Sequence, residues 1–179
     1  MNTRLSSYVF PAVLLASPPL PQSYASPVVF PSDMVPTDAA VRNTHDGTVA
    51  VAVTGGRQTN PLWASQVSNA DFKHAVEDSL LRYRFFSRVQ TSGADYRIEV
   101  ALKELKQPIR GFVIAVSAKV YWRLTNAKSG KAVWQQTIDR RFTAGGGDIR
   151  DAQMLEAANE GAIRENIKTA LQEMGQLTF

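Results

Sequence analysis

The feature that most constrains the fold is the alternation of apolar and polar residues in FVIAVSAKVYWRL, residues 112–124. One side of this segment carries Val116, Val120, Trp122 and Leu124, and the other carries Ser117, Lys119 and Arg123. A period of two places successive side chains on opposite faces of a strand. The segment therefore predicts a long strand in a sheet that is apolar on one face and polar on the other.

Three further segments have strand patterns. Residues 95–105, DYRIEVALKEL, alternate in the same way, and residues 47–56, GTVAVAVTGG, place three valines on one side before two glycines. Residues 133–142, VWQQTIDRRF, follow a turn at residues 126–130. Their apolar side also carries Gln136 and Arg140, which predicts a strand at the edge of the sheet.

Two segments have helical spacing. In residues 68–86, Ser68 and Asp71 have the spacing of a capping box. Apolar residues then recur every three or four positions: Phe72, Val76, Leu80 and Tyr83. Residues 148–175 are predicted to form the second helix, because acidic residues lie in its first turns and Gly175 lies at its end.

The second helix has a stripe rich in small residues. The stripe consists of Leu155, Ala158, Ala162, Ile163, Ile167, Ala170, Leu171 and Met174. Gly161 lies beside it, although glycine in mid-helix costs about 1 kcal/mol relative to alanine. We interpret Gly161 as a point of close packing between this helix and the sheet.

The order of these elements predicts an α+β fold, β-α-β-β-β-α. Two helices pack on one face of a mostly antiparallel four-stranded sheet. The opposite face should be open to solvent or to a partner.

The 179 residues divide into three predicted parts. Residues 1–25 have the pattern of a signal peptide, with Arg4, an apolar stretch at 8–16 and SYA at 23–25 as the cleavage site. Residues 26–46 are a Pro-rich tether, or a strap laid over the body, and residues 47–179 form a single α+β domain. The alternative is a Pro-broken N-terminus of a cytosolic protein, since Pro11 interrupts the apolar stretch.

The chain contains no cysteine, which excludes disulfides, thiolate metal sites and a cysteine nucleophile. Leu15, Ala16 and Ser17 resemble the residues before a lipid-bearing cysteine, but Pro18 follows them. No body segment reaches the roughly 18 apolar residues of a spanning helix. We therefore expect a periplasmic protein whose mature chain has no transmembrane helix. Any association with the outer membrane should be through a partner.

A βαβββα body behind a signal and a Pro-rich tether resembles the small envelope lipoproteins of Gram-negative bacteria. These include the lipopolysaccharide-assembly lipoprotein and the auxiliary lipoproteins of lipid-transport ABC systems. The resemblance spans residues 47–175 and includes TNPLWASQVSNADFKHAVEDSL, 59–80, and LEAANEGAIRENI, 155–167. It implies accessory work in the assembly or transport of outer-membrane components rather than catalysis.

The sequence shows no pattern typical of a catalytic or cofactor site. The two histidines, His45 and His74, lie far apart, and neither has a second histidine three or four residues away. The chain has no Walker loop, G-x-G-x-x-G or G-x-S-x-G segment. We therefore predict no catalytic residue, metal or cofactor. The alternative is an enzyme whose active-site residues are dispersed along the sequence.

Binding residues are predicted at two places. Trp63, in the loop after the first strand, either contacts a ligand or covers the core. The polar face of the sheet carries Arg97, Lys103, Lys119, Tyr121 and Arg123, which suit an envelope protein complex or anionic lipid head groups.

Nucleic acid is the alternative partner. Residues 82–88, RYRFFSR, mix basic and aromatic residues that could pair with phosphates and stack on bases. The formal net charge of +4, or +3 without residues 1–25, is low for such a protein, so nucleic acid is the less favoured partner.

Overall fold

The computed structural model describes residues 29–57, 66–107, 113–145 and 151–178, without the side chains of 151 and 152. A short 3-10 helix, Pro31–Met34, precedes the domain. The strands are β1 His45–Thr54, β2 Phe86–Val89, β3 Tyr96–Lys106, β4 Ile114–Asn126 and β5 Ala132–Ala144. The helices are α1 Asn69–Arg82 and α2 Asp151–Met174. The predicted signal peptide and Trp63 lie outside the described residues, and the division into three parts stays a prediction.

The five strands form one mixed sheet in the order β2-β1-β3-β4-β5. Strand β1 pairs in parallel with β2 and β3, whereas β3, β4 and β5 pair antiparallel. The α+β class is confirmed. The prediction of four mostly antiparallel strands is wrong in detail, because a fifth strand is present and β1 is parallel to both of its neighbours. Strand β5 lies at an edge, as predicted.

The additional strand β2 begins at Phe86, the last residue of the predicted first helix. The helix ends at Arg82, and Arg84 adopts a left-handed backbone conformation with φ of 49°. The amides of Arg84 and Phe85 then donate to the carbonyls of Leu81 and Leu80, which closes the helix end. The chain reverses there, and Phe86 begins a strand. Glycine normally marks this left-handed position, so the sequence carried no visible stop signal.

Both helices cover the same face of the sheet, and they meet at Trp122 of β4. The ring of Phe72, from α1, packs edge-on against the Trp122 ring with centroids 6.1 Å apart. The Trp122 indole N–H donates to Asn166 Oδ1, from α2, at 2.8 Å. The predicted two helices on one face are therefore confirmed.

Helix α2 approaches β5 closely at Gly161. A Cβ atom placed there would lie 2.1 Å from the Phe142 ring, which is closer than real Cβ atoms come to other atoms. Ala158 and Ala162 beside it are fully buried. The expected close packing of this stripe on the sheet is confirmed.

Residues 29–44 lie across the two helices. Val29, Met34 and Val35 are buried, and the Phe30 amide donates to the buried Glu160 carboxylate at 2.8 Å. The Tyr83 hydroxyl donates to the Pro36 carbonyl at 3.0 Å and accepts from the Ala39 amide at 2.9 Å. We call residues 29–44 the strap, because these contacts hold them to the body.

Candidate functional site

The face of β3, β4 and β5 that points away from the helices is the candidate site, and we call it the open face. Along β4 every second residue is buried, while those between are half-buried. No described helix packs against the open face. A sheet covered on one side only leaves this face free to contact another molecule.

The pairing of the strands brings the predicted residues into adjacent rows. Arg123 lies opposite Glu99, with Nη1 and Oε2 4.0 Å apart. Lys119 lies between Glu104 and Asp139, at 4.0 and 3.9 Å. Both cations and their partners are 40 to 56% exposed, so each pair contributes at most about 1 kcal/mol and can be exchanged for a partner's charges.

Tyr121 lies between these two rows. Its hydroxyl donates to Gln135 Oε1 at 3.3 Å, and the Lys103 ammonium lies 5.7 Å from the centroid of its ring. That distance is within the range of a cation–π contact, which orients Lys103 across the sheet. The structure therefore groups Tyr121 with Lys103, Lys119 and Arg123 at the centre of the open face.

Arg97 lies one row further along, beside Arg123. Together with Glu99, Thr125 and Ala127 these arginines line a shallow depression of about 280 Å³. Arg97 forms no ion pair with another described residue. It therefore extends the cationic surface toward the turn between β4 and β5.

Cations outnumber carboxylates on the open face of these three strands. The cations are Arg97, Lys103, Lys106, Lys119, Arg123 and Arg141, and the carboxylates are Glu99, Glu104 and Asp139. Lys106 and Arg141, which both pair with Ser117 in register, were not among the predicted binding residues. The period of two along β5 also places Arg141 on the polar side of that strand, so the sequence alone could have identified it.

To bind nucleic acid, the basic-aromatic segment 82–88 would have to expose its aromatic rings, and the structure buries two of them. Phe85 and Phe86 are buried, at 0 and 2% exposed, and their rings pack against His45 at 5.2 and 5.8 Å. Rings in the core cannot stack on bases. Two of the three aromatic rings of this segment are therefore unavailable for stacking, and the third, Tyr83, is half-buried with its hydroxyl bonded to the strap.

The histidines are also separated in the fold. His74 is exposed on α1, whereas burial lowers the pKa of His45. Within the described ranges, no three metal-ligating side chains come together. None of the helices in those ranges is long and apolar enough to cross a membrane.

Comparisons with known proteins give a fold but no family. No protein-family model matches the chain, and no curated protein matches it. A DUF330 protein from Xanthomonas campestris is 12% identical, with a TM-score of 0.60 over 79% of this chain and 91% of its own. A hypothetical protein from Chlamydia trachomatis is also 12% identical, with a TM-score of 0.52 over 73% and 95%. The chain shares the fold of these two proteins.

Bacterial lipoproteins are among the structures to which the chain is similar. The minor lipoprotein of Acinetobacter baumannii is 6% identical, with a TM-score of 0.46 over 78% of this chain and 94% of its own. That score is too low to support an argument. The resemblance to the lipopolysaccharide-assembly lipoprotein stays a prediction.

Proposed function

We propose that this chain is an exported accessory protein of the cell envelope that acts by binding another envelope protein through its open face. One observation carries the proposal: the sheet is covered by helices on one side and presents Tyr121, ringed by cations, on the other. Tyrosine and arginine are the residues that most often dominate the energy of protein interfaces. The excess of cations suits an acidic partner surface.

The pattern of charge on the open face favours a protein over lipid head groups. Glu99, Glu104 and Asp139 lie about 4 Å from the cations of neighbouring strands. An anionic bilayer attracts clusters of lysine and arginine but repels interleaved carboxylates. A protein surface can instead place fixed charges of both signs opposite this pattern.

The cellular role belongs to the same proposal. The predicted signal peptide at 1–25 would place the mature chain in the periplasm, where a partner rather than a lipidated cysteine would hold it at the outer membrane. There it would assist the assembly or transport of outer-membrane components without catalysing a reaction. The mature protein isolated from fractionated cells should begin at Ser26, and an intact Met1 would contradict export.

Photo-crosslinking in the intact envelope tests the open face. A photoreactive phenylalanine analogue at Tyr121 should give one dominant crosslinked protein, and the same analogue at Gln176, exposed beyond α2, should not. Crosslinking of equal yield at both positions would contradict a specific site.

A pair of charge reversals tests the electrostatics. Lys103→Glu should weaken the Tyr121 crosslink, because it reverses a cation that lies over that ring. Lys131→Glu makes the same change just beyond the turn between β4 and β5, and should leave the crosslink intact. Equal effects of the two variants would show that overall charge, and not this surface, drives the contact.

A further inference from the structure

A second candidate site lies away from the open face, where β1 and β2 begin. Two adjoining depressions of about 370 and 420 Å³ share Thr44 and His45. Arg84, Leu81 and Ser87 line the first, and Arg42 lines the second. We call these two depressions together the groove.

Arg84 has a backbone conformation that glycine adopts more readily than arginine. Its φ of 49° lies in the left-handed region, at the position after a helix where glycine is most common. Arginine therefore does not stabilise the backbone conformation at this position. A cation near the helix C-terminus is favourable by itself, but Arg82 already supplies one in the last turn. Strain of this kind is concentrated at functional sites, which points to a role for the Arg84 side chain.

The groove has the donors that an oxyanion requires. Arg42 and Arg84 are exposed, and neither forms an ion pair with another described residue. The Ser87 hydroxyl accepts from the Gly47 amide at 3.2 Å, which leaves its own proton free to donate to a ligand. Among the described residues that line the groove, Asp46 is the one carboxylate, against two guanidinium groups.

Leu81 and Phe86 supply an apolar part of an otherwise polar groove lining. The ring of His45 packs on Phe85 and Phe86, and burial lowers the pKa of this imidazole, which disfavours its charged form. Leu81 is 50% exposed on the wall beside Arg84. An apolar patch next to two cations suits an anionic group that carries a hydrocarbon part.

We propose that the groove binds a small phosphate-bearing ligand, with Arg84 and Arg42 pairing with the phosphate oxygens. Guanidinium groups match phosphate with two parallel hydrogen bonds each, and the hydroxyl of Ser87 adds a third donor. The phosphate could belong to a free phosphate ester or to a lipid headgroup. This site is separate from the open face, so its failure would leave the proposed function standing.

Titration of the full chain by nuclear magnetic resonance tests the proposal. The probes are inorganic phosphate and a short-chain phosphatidylglycerol kept below its micelle concentration. The amide signals of Gly47 and Ser87 should shift with at least one probe at millimolar concentration. Tighter binding of the lipid would assign the site to headgroups, and equal or weaker binding would assign it to free phosphate. Absence of a shift with both probes would overturn the proposal.

Three variants separate binding from stability. Arg84→Gly should weaken binding roughly ten-fold or more, and Arg42→Gln should also weaken it, because each removes charge-assisted hydrogen bonds. Arg141→Gln, on the open face, should leave it unchanged. Arg84→Gly should also keep or raise the thermal midpoint, because glycine relieves the left-handed strain. Unchanged binding in Arg84→Gly, or a lowered midpoint, would show that Arg84 serves the helix end and not a ligand.

Discussion

Replacing Asn166 with alanine should destabilise the chain more than any surface substitution, because Asn166 joins α2 to two strands inside the core. Asn166 is fully buried, and its Oδ1 accepts from the Trp122 indole at 2.8 Å. Its Nδ2 donates to the carbonyls of Ala118 and Ile138 at 3.0 and 2.9 Å. Buried polar groups almost always have a hydrogen-bond partner, so removing the Asn166 amide is costly.

The loss of unfolding free energy in this variant can be worked out from the three lost hydrogen bonds. A buried donor left without a partner costs about 1–3 kcal/mol, and Trp122 becomes such a donor in the Asn166→Ala variant. Loss of the two bonds to carbonyl groups adds about 1 kcal/mol in all, since those groups can also pair within the sheet. We expect a total of about 3 kcal/mol, a large part of the 5–15 kcal/mol that ordinary domains possess.

Urea unfolding followed by circular dichroism measures this free energy. Gln172→Ala, on the surface of the same helix, should change it by less than about 0.5 kcal/mol. In a Trp122→Phe background, where the indole donor is absent, Asn166→Ala should cost less by about 1–2 kcal/mol. A cost below about 1 kcal/mol, or no difference between the two backgrounds, would refute the role assigned to Asn166.

Three other predictions concern α2 and the strap. Burial, followed by the nearby Asp33 and Glu156, raises the pKa of Glu160 to about 7, so the free energy of unfolding should fall as pH rises from about 4.5 to 7. Glu160→Gln should reduce that slope in urea unfolding at pH 5 and 8, and an unchanged slope would contradict it. Gly161→Ala should cost about 1–3 kcal/mol in the same assay because its Cβ collides with Phe142, and Phe142→Ala should remove most of that cost. Tyr83→Phe, which loses both hydrogen bonds of the Tyr83 hydroxyl to the strap, should speed limited proteolysis within residues 29–44, and an unchanged rate would show that these two hydrogen bonds do not hold the strap.

The sequence predicted those parts of the fold that depend on periodicity. The alternation around Trp122 predicted a long strand with one covered face, and Gly161 predicted the close approach of α2. These features follow from side-chain patterns within a single element. The same alternation placed Lys119, Tyr121 and Arg123 together on the open face.

The sequence did not predict features that depend on pairs of distant segments. The left-handed residue that ends α1 is Arg84 rather than glycine, so the helix was predicted to continue to Phe86 and strand β2 was not predicted. The parallel pairing of β1 with β3 depends on the path of the chain through α1, which no local pattern records. The cation–π contact between Lys103 and Tyr121 likewise required the register of two strands.

Differential lysine labelling most directly tests the claim that the open face binds a partner. An amine-reactive reagent is applied to the purified chain and to intact envelopes, and the modification at each lysine is measured by mass spectrometry. The account predicts that Lys103 and Lys119 are modified in the purified chain and protected in the envelope, while Lys131 is modified in both. Equal modification of Lys103 and Lys119 in the two samples would contradict it.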